Sequence, residues 1–283
     1  MKLRFFVAAV AALFAVSSVQ AQVIWTEDFE SVTLGPSPQE RPVPPVPVWT
    51  ETPPAGWTVD NSGVPGQGDD EQGMEDWEGW AFVDEAFWVS ADDQRRSEFR
   101  DGFGEGVVAV ADPDEWDDVG SPADQLGFFN AFMTTPSIDI SSVTEQLEIS
   151  FASSWRDEAF DDGDAHNPNG NNQTAILSLS LDGGAFAEVL RWESDPASAS
   201  FKDDAPNEMI ELNLGATSAS TAQFQFALVE GGNDWWWAVD NIFLKLGLEP
   251  VSIESHPEPL QIEEGESATF SVVTLGAEPF TYQ

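Results

Sequence analysis

The apolar run at residues 234–244, with the sequence DWWWAVDNIFL, constrains the fold of this chain more than any other segment. Its aromatic and branched residues predict one strand of about 36 Å, buried on at least part of both faces. Asp240 and Asn241 lie in the middle of this strand. Because burial of an unpaired carboxylate costs several kcal/mol or more, Asp240 has to be exposed, hydrogen-bonded or held by a cation.

A hydrophobic period of two predicts further strands that each bury one face. The period is clear at residues 147–151, 177–181 and 224–228, and the sequence DGG at residues 182–184 predicts a hairpin turn. Helical periodicity is nearly absent. About ten short strands separated by turns predict an all-β fold, an antiparallel β-sandwich with long loops over residues 22–247.

Residues 1–21 have the pattern of a cleaved secretory signal peptide. Lys2 and Arg4 precede an apolar core at residues 5–16, and small residues end the segment. A core of about 12 residues is too short to cross a bilayer, which needs about 20, and no later apolar run is long enough. We therefore expect a secreted, extracellular or cell-surface protein without membrane insertion. Because the chain has no cysteine, its stability cannot depend on disulfides.

The charge of the chain is extreme, with 51 acidic against 10 basic residues and a formal net charge of −41. Such a surface repels nucleic acid and anionic membranes, and it attracts divalent cations. Twelve Trp and twenty Phe supply enough apolar material for a core, which argues against a disordered acidic chain. The sequence predicts a globular protein that does not bind nucleic acid.

Trp77, Trp80 and Trp88 belong to an aromatic concentration between acidic residues. One interpretation is core packing beneath a long loop. The other is an exposed stacking platform for a sugar ring, which makes these residues candidate ligands for a polysaccharide or a cell-surface glycan. The sequence RRSEFR at residues 95–100 is interpreted as a set of internal partners for carboxylates, with anion recognition as the alternative.

Three short motifs carry a family resemblance: WTEDFE at residues 25–30, TPSIDIS at residues 135–141 and AVDNIF at residues 238–243. They are similar to the opening, middle and closing motifs of jelly-roll modules in large secreted bacterial proteins. These modules form the MAM-like group, with cleaved-adhesin and choice-of-anchor types. The resemblance covers most of residues 23–245 and implies a jelly-roll β-sandwich.

The same resemblance implies a structural calcium ion shared by an acid of the first strand and the Asp of the last. Glu30 and Asp240 match these positions, with Asp28 as a third. Calcium accepts carboxylate and backbone oxygens in flexible geometry, so it suits acids that would otherwise repel each other. The alternative has Asp240 capped by backbone donors or by an arginine, without metal. The long insert at residues 36–118 departs from the compact adhesin pattern.

The sequence changes character after the predicted sandwich. Residues 248–260 contain prolines and no aromatic residue, which predicts a linker. Residues 261–283 have a strand, turn, strand pattern similar to the start of a cysteine-free bacterial immunoglobulin-like domain, and they are too few to bury a core alone. We expect the natural chain to continue into the rest of this domain and further domains.

Catalytic motifs are lacking in the sequence, which has no G-x-S-x-G, no H-E-x-x-H and no phosphate-cradling loop. A glycosidase with a pair of carboxylates stays open, because any two of the acids could form the pair. The prediction is a non-catalytic extracellular binding or adhesion module for carbohydrate or a cell-surface glycan. The alternative is a structural accessory domain of a secreted hydrolase, for example a metallophosphoesterase, whose catalytic domain lies outside these residues.

Overall fold

A computed structural model describes most of the chain after the predicted signal peptide. Residues 23–247 form one compact unit, and residues 248–283 belong to another. The predicted signal peptide, residues 1–21, lies outside the described residues. These are residues 22–40, 46–69, 71–119, 127–143, 146–157, 173–232, 235–247, 252–255 and 273–275.

The first unit is built from two antiparallel sheets, which confirms the predicted antiparallel β-sandwich. Two short helices and two 3-10 turns accompany the strands. The strands are β1 (Val23–Glu27), β2 (Trp49–Thr50), β3 (Thr58–Asp60), β4 (Ala81–Asp84), β5 (Val107–Ala111), β6 (Phe129–Thr134), β7 (Ile138–Asp139), β8 (Gln146–Trp155), β9 (Thr174–Leu181), β10 (Ala187–Glu193), β11 (Ala205–Ala216), β12 (Thr221–Gly231) and β13 (Trp237–Gly247). The helices are α1 (Glu85–Ala91) and α2 (Pro113–Trp116), and the 3-10 turns are Glu75–Trp77 and Arg96–Glu98.

The first sheet has the order β11-β8-β13-β5-β4-β2, with β1 also paired to β13. The second sheet has the order β10-β9-β12-β6-β3, with β7 paired to β12. Strand β13 lies inside the first sheet and pairs with β8, β5 and β1. Residues 237–244 of the apolar run therefore lie in a strand inside a sheet, as predicted, whereas Trp235 and Trp236 precede that strand.

Strand β13 changes its partner along one edge. Trp237 to Val239 pair with β5, and Ile242 to Lys245 pair with β1. Asp240 and Asn241 lie between these two pairings, where the register with β8 also shifts. Asn241 has a φ of 48°, as expected for an irregularity that turns side chains away from the regular alternation. The end of β1 and the start of β5 thus meet beside Asp240.

The core lies between the two sheets and follows the predicted period of two. Phe151 of β8 and Phe226 of β12 meet edge to face across the sheets, with ring centroids 5.4 Å apart. Trp237 contacts both of these rings. All three side chains are fully buried, so the alternating residues of opposite sheets interdigitate as in a sandwich core.

The long insert is part of the sandwich. Strands β2, β4 and β5 extend the first sheet, and β3 joins the second through β6. The acidic sequence at residues 112–118 contains α2. Asp112 caps this helix by accepting a hydrogen bond at Oδ1 from the backbone N–H of Glu115 (3.3 Å). The insert therefore supplies strands to both sheets of the sandwich and is not only a surface loop.

The second unit contains the antiparallel pair β14 (Ser252–Ser255) and β15 (Val273–Leu275). Strand β14 lies within the predicted linker, residues 248–260, so part of that segment is a strand because its backbone pairs with β15. The immunoglobulin-like pattern predicted for residues 261–283 lies outside the described residues apart from β15. In the described part of the chain, no helix is long and apolar enough to cross a membrane.

Candidate metal centre

A cleft of about 370 Å³ opens where β13 changes its partner. The three predicted metal ligands line it, together with two polar residues that the sequence did not predict as ligands, Glu105 and Asn241. Its lining residues are Asp28, Glu30, Glu105, Gly106, Asp240 and Asn241.

The turn after β1 presents Asp28 and Glu30 to this cleft. Phe29 between them has a φ of 55° and is fully buried, with its ring 5.4 Å from that of Trp57. Glu27 holds the turn, because its carboxylate accepts from the backbone N–H of Phe29 and from Nε1 of Trp57, both at 3.0 Å. The aromatic anchor thus points inward while the acids on either side stay at the surface.

The start of β5 fixes the position of Glu30. The backbone N–H of Val107 donates to Oε1 of Glu30 (2.9 Å). Gly106 has a φ of 65°, and a Cβ at this position would lie 2.0 Å from the same oxygen. Only glycine therefore leaves Glu30 in place without strain or displacement.

Asp240 is only 1% exposed and is held by donors from two segments. The backbone N–H of Asn241 donates to its Oδ1 (2.7 Å), and the backbone N–H of Glu105 donates to its Oδ2 (3.3 Å). The side-chain amide of Asn241 donates to the same Oδ2 (3.1 Å) and to the carbonyl of Phe103 (2.7 Å). Backbone donors thus cap Asp240, as the metal-free alternative predicted. Oδ2 thus accepts two hydrogen bonds and Oδ1 only one, so Oδ1 keeps further acceptor capacity.

The acidic side chains that line the cleft give it a negative electrostatic potential. Burial and, to a smaller extent, the nearby charges of Glu30 and Asp28 raise the pKa of Asp240 to about 8, although the backbone hydrogen bonds lower it. Among the ion pairs of the described residues, none joins a Lys or Arg to Asp28, Glu30 or Asp240. Within those ranges, the arginine partner considered for Asp240 is not found.

The oxygen atoms that line the cleft are of the chemical types that bind a hard cation. Carboxylate, amide and backbone oxygens are the ligands that calcium prefers. Over the described ranges, however, no group of three or more His, Cys, Asp or Glu side chains is placed so that it could hold a metal ion. Among the described residues a calcium ion would therefore have at most two of these acidic side chains as direct ligands, and the calcium site stays a prediction.

The proposed sugar platform is wrong, because the rings of Trp77, Trp80 and Trp88 are all fully buried. Trp77 stacks on Phe87 with centroids 5.8 Å apart. Trp80 meets Trp237 edge on at 5.7 Å. The alternative interpretation, core packing, is correct for all three.

Trp88 belongs to a buried ionic cluster around Arg96, whose side chain is 0% exposed. The guanidinium group pairs with Asp112 (3.1 Å) and Glu115 (2.5 Å) and lies 5.5 Å from the centroid of Trp88 and 5.0 Å from that of Trp236. Nε1 of Trp88 donates to Oδ2 of Asp112 (2.7 Å). The structure thus confirms for Arg96 the prediction that the arginines pair with internal carboxylates. The alternative prediction, that these arginines bind an anionic ligand, is wrong for Arg96.

The chain is similar in structure to cleaved adhesin domains of a gingipain. The K1 domain of Lys-gingipain from Porphyromonas gingivalis has a TM-score of 0.42 and 13% identity, covering 79% of this chain and 98% of that domain. The K2 domain gives 0.39 and 14%, covering 79% and 98%. A xylan-binding domain from CBM 22 gives 0.35 and 8%, covering 80% and 95%.

No family model matches the sequence, and no curated protein matches it. The MAM-like and choice-of-anchor resemblance therefore stays a prediction, as does the immunoglobulin-like tail. With identities of 14% or less and TM-scores below 0.5, function has to be argued from the residues of this chain.

Proposed function

We propose that residues 23–247 act as a calcium-stabilised, non-catalytic binding or adhesion module of a secreted protein. The observation that carries this proposal is the cleft at the β13 irregularity, where Asp28, Glu30 and Asp240 come together without a described basic partner. Three hydrogen bonds hold Asp240, but burial still disfavours its ionised form, and a cation beside it would favour that form.

Calcium in this cleft would act as a structural ion. Glu30 follows β1, Glu105 precedes β5 and Asp240 lies in β13, so one ion would tie three segments of the first sheet together. Extracellular modules commonly bind calcium with dissociation constants of about 0.1 to 1 mM, which suits a protein for which a secretory leader is predicted. The site would fix the shape of the sandwich and leave ligand binding to other surfaces.

The ligand class that we propose is carbohydrate, either a polysaccharide or a cell-surface glycan. The excess of negative charge disfavours anionic partners such as nucleic acid. Because the three tryptophans are buried, the contacts with a glycan have to come from another surface.

A glycan array tests the binding function. The chain from residue 22 onward is applied in calcium and, separately, in chelator. We expect binding to at least one class of glycan in calcium and weaker binding in chelator, because the ion stabilises the folded module. An array without any bound glycan would contradict the carbohydrate function.

The second candidate function is a structural accessory domain of a secreted hydrolase. Burial of Trp77, Trp80 and Trp88 favours it, since it removes the aromatic platform that suggested sugar binding. On this alternative the array gives no signal while calcium still raises the melting temperature. The two measurements together separate a binding module from a spacer.

A further inference from the structure

The outer face of the second sheet carries a cleft of about 390 Å³, away from the carboxylate cleft of the first sheet. Its volume is within the range of about 300 to 1,000 Å³ that is typical of ligand pockets. We call it the sheet cleft. It is lined by Thr58, Val59, Asp60, Phe132, Thr134 and Gln225.

Strand register places these side chains in two neighbouring rows. Thr134 of β6 is paired with Thr58 of β3 on one side and with Gln225 of β12 on the other. Phe132 is paired with Asp60 in the next row. Residues two apart on a strand share a face, and Met133 between Phe132 and Thr134 is fully buried in the core. The two rows therefore face outward together.

The polar groups of the sheet cleft are positioned by local hydrogen bonds. Oδ1 of Asp60 accepts from the hydroxyl of Ser62 (2.5 Å) and from its backbone N–H (3.1 Å), which leaves the second carboxylate oxygen as an acceptor toward the exposed side. Nε2 of Gln225 donates to Oγ1 of Thr134 (3.2 Å), so the amide is oriented before any ligand binds. Hydroxyl, amide and carboxylate groups thus surround the half-buried ring of Phe132.

This arrangement has the chemistry that a sugar needs. An aromatic ring contacts the apolar face of a pyranose, while carboxylate and amide groups bind its hydroxyl groups. The lining holds Asp60 and no Lys or Arg, so it offers no positive charge to a phosphate, sulfate or uronate group. The large negative charge of the chain opposes anions as well.

We propose that the sheet cleft binds a short stretch of a neutral polysaccharide, with Phe132 as the stacking residue and Asp60 and Gln225 as the hydrogen-bonding residues. This proposal rests on the binding function proposed above and gives it a site. The tryptophans of this module lie in the core or pack against it. Phe132 would still give the module an aromatic ring that can contact a sugar.

Native affinity electrophoresis tests this site on the chain from residue 22 onward, in calcium. The gels contain soluble xylan, mixed-linkage β-glucan or mannan as neutral probes, and polygalacturonate as the anionic probe. We expect at least one neutral polysaccharide to retard the protein. Phe132→Ala and Gln225→Ala should each weaken this binding about fivefold or more.

The control is Phe186→Ala, which removes an equally large ring that is 40% exposed just before β10 and outside the cleft. It should bind as the wild type does, and melting curves on all variants exclude misfolding as the cause of a loss. Retardation that survives both Phe132→Ala and Gln225→Ala would overturn the cleft while leaving the binding function standing. Retardation by polygalacturonate alone, or by none of the probes, would overturn the neutral-sugar inference, and the glycan array decides the binding function separately.

Discussion

The backbone N–H of Glu105 donates a hydrogen bond to Oδ2 of Asp240, which lies 135 positions later in the chain. The side chain of Asn241 adds a second link by donating to the carbonyl of Phe103. Together these bonds fasten the loop before β5 to the central strand. A calcium ion beside Asp240 would therefore stabilise the junction between the insert and the sandwich.

Gly106 tests whether this junction is packed as described. Gly106→Ala should lower the free energy of unfolding by more than the roughly 1–2 kcal/mol of a left-handed alanine, because the new Cβ would also displace Glu30. It should also reduce the calcium-dependent rise in melting temperature. Urea unfolding and thermal melts measure the two effects.

Gly183→Ala is the matched control for that substitution. Gly183 has a φ of 69°, close to the 65° of Gly106, and a Cβ there meets nothing within 4 Å. It should show the backbone cost alone and keep the full calcium response. Equal losses for the two variants, with equal calcium responses, would mean that Glu30 does not depend on Gly106.

Arg96 should be among the most sensitive single positions in the chain. Arg96→Leu leaves the buried carboxylates of Asp112 and Glu115 without their cation, so we expect a loss of about 3–5 kcal/mol in the free energy of unfolding. The neighbouring Arg95, whose side chain is 43% exposed, pairs with Glu98 at the surface. Arg95→Leu should cost less than about 1 kcal/mol. Similar losses in the two variants would contradict the buried cluster.

Stability should depend on pH through Glu78. Burial raises the pKa of this residue from its ordinary 4.5 to about 7. Between these values the folded state keeps a proton that the unfolded state has lost, so stability falls as the pH rises. Glu78→Gln should flatten the fall in melting temperature between pH 5 and pH 7.

Glu98→Gln is the control for that pH profile. Arg95 holds the pKa of Glu98 below its ordinary value, so Glu98 is ionised in both states above about pH 5. Its substitution should leave the slope between pH 5 and pH 7 unchanged. A Glu78→Gln profile parallel to that of the wild type would show that Glu78 does not titrate in this window.

Much of the fold followed from the sequence because its signals are local. The period of two in β8, β9 and β12 reports one buried face for each strand, and the turn after β9 has positive φ at Asp182 and Gly183, as its DGG sequence indicates. The proximity of Glu30 to Asp240 could also be predicted from the sequence. A carboxylate inside an apolar strand needs a specific environment, and acids end the first strand.

The burial of the tryptophans and the presence of Glu105 in the carboxylate cleft could not be predicted from the sequence, and the reason is the same for both. Whether the faces of Trp88 are covered depends on Arg96 and on Trp236, and the second of these is distant in the sequence. Likewise, Glu105 reaches Asp240 only because β5 and β1 share one edge of β13. The sequence GEG at residues 104–106, just before β5, is a local signal that another segment packs closely against this backbone. It does not indicate which segment that is.

Calcium affinity should rise with pH, because the proton and the cation compete for Asp240. Burial raises the pKa of Asp240 to about 8, so at pH 6 calcium has to displace a proton that is mostly gone above pH 8. Calorimetric titrations at pH 6, 7 and 8 should give increasing affinity and a decreasing release of protons. An affinity independent of pH would mean that Asp240 is not a ligand.

Thermal melting of the chain from residue 22 onward, in excess calcium and in chelator, tests the calcium site most directly. A ligand at about 100 times its dissociation constant stabilises the folded state by roughly 2.7 kcal/mol, so calcium should raise the melting temperature by about 5 °C or more. Asp240→Asn should lose this rise, whereas Asp139→Asn, an exposed carboxylate on β7, should keep it. A wild type that melts at the same temperature in calcium and chelator, or an Asp240→Asn variant that keeps the full rise, would contradict the account.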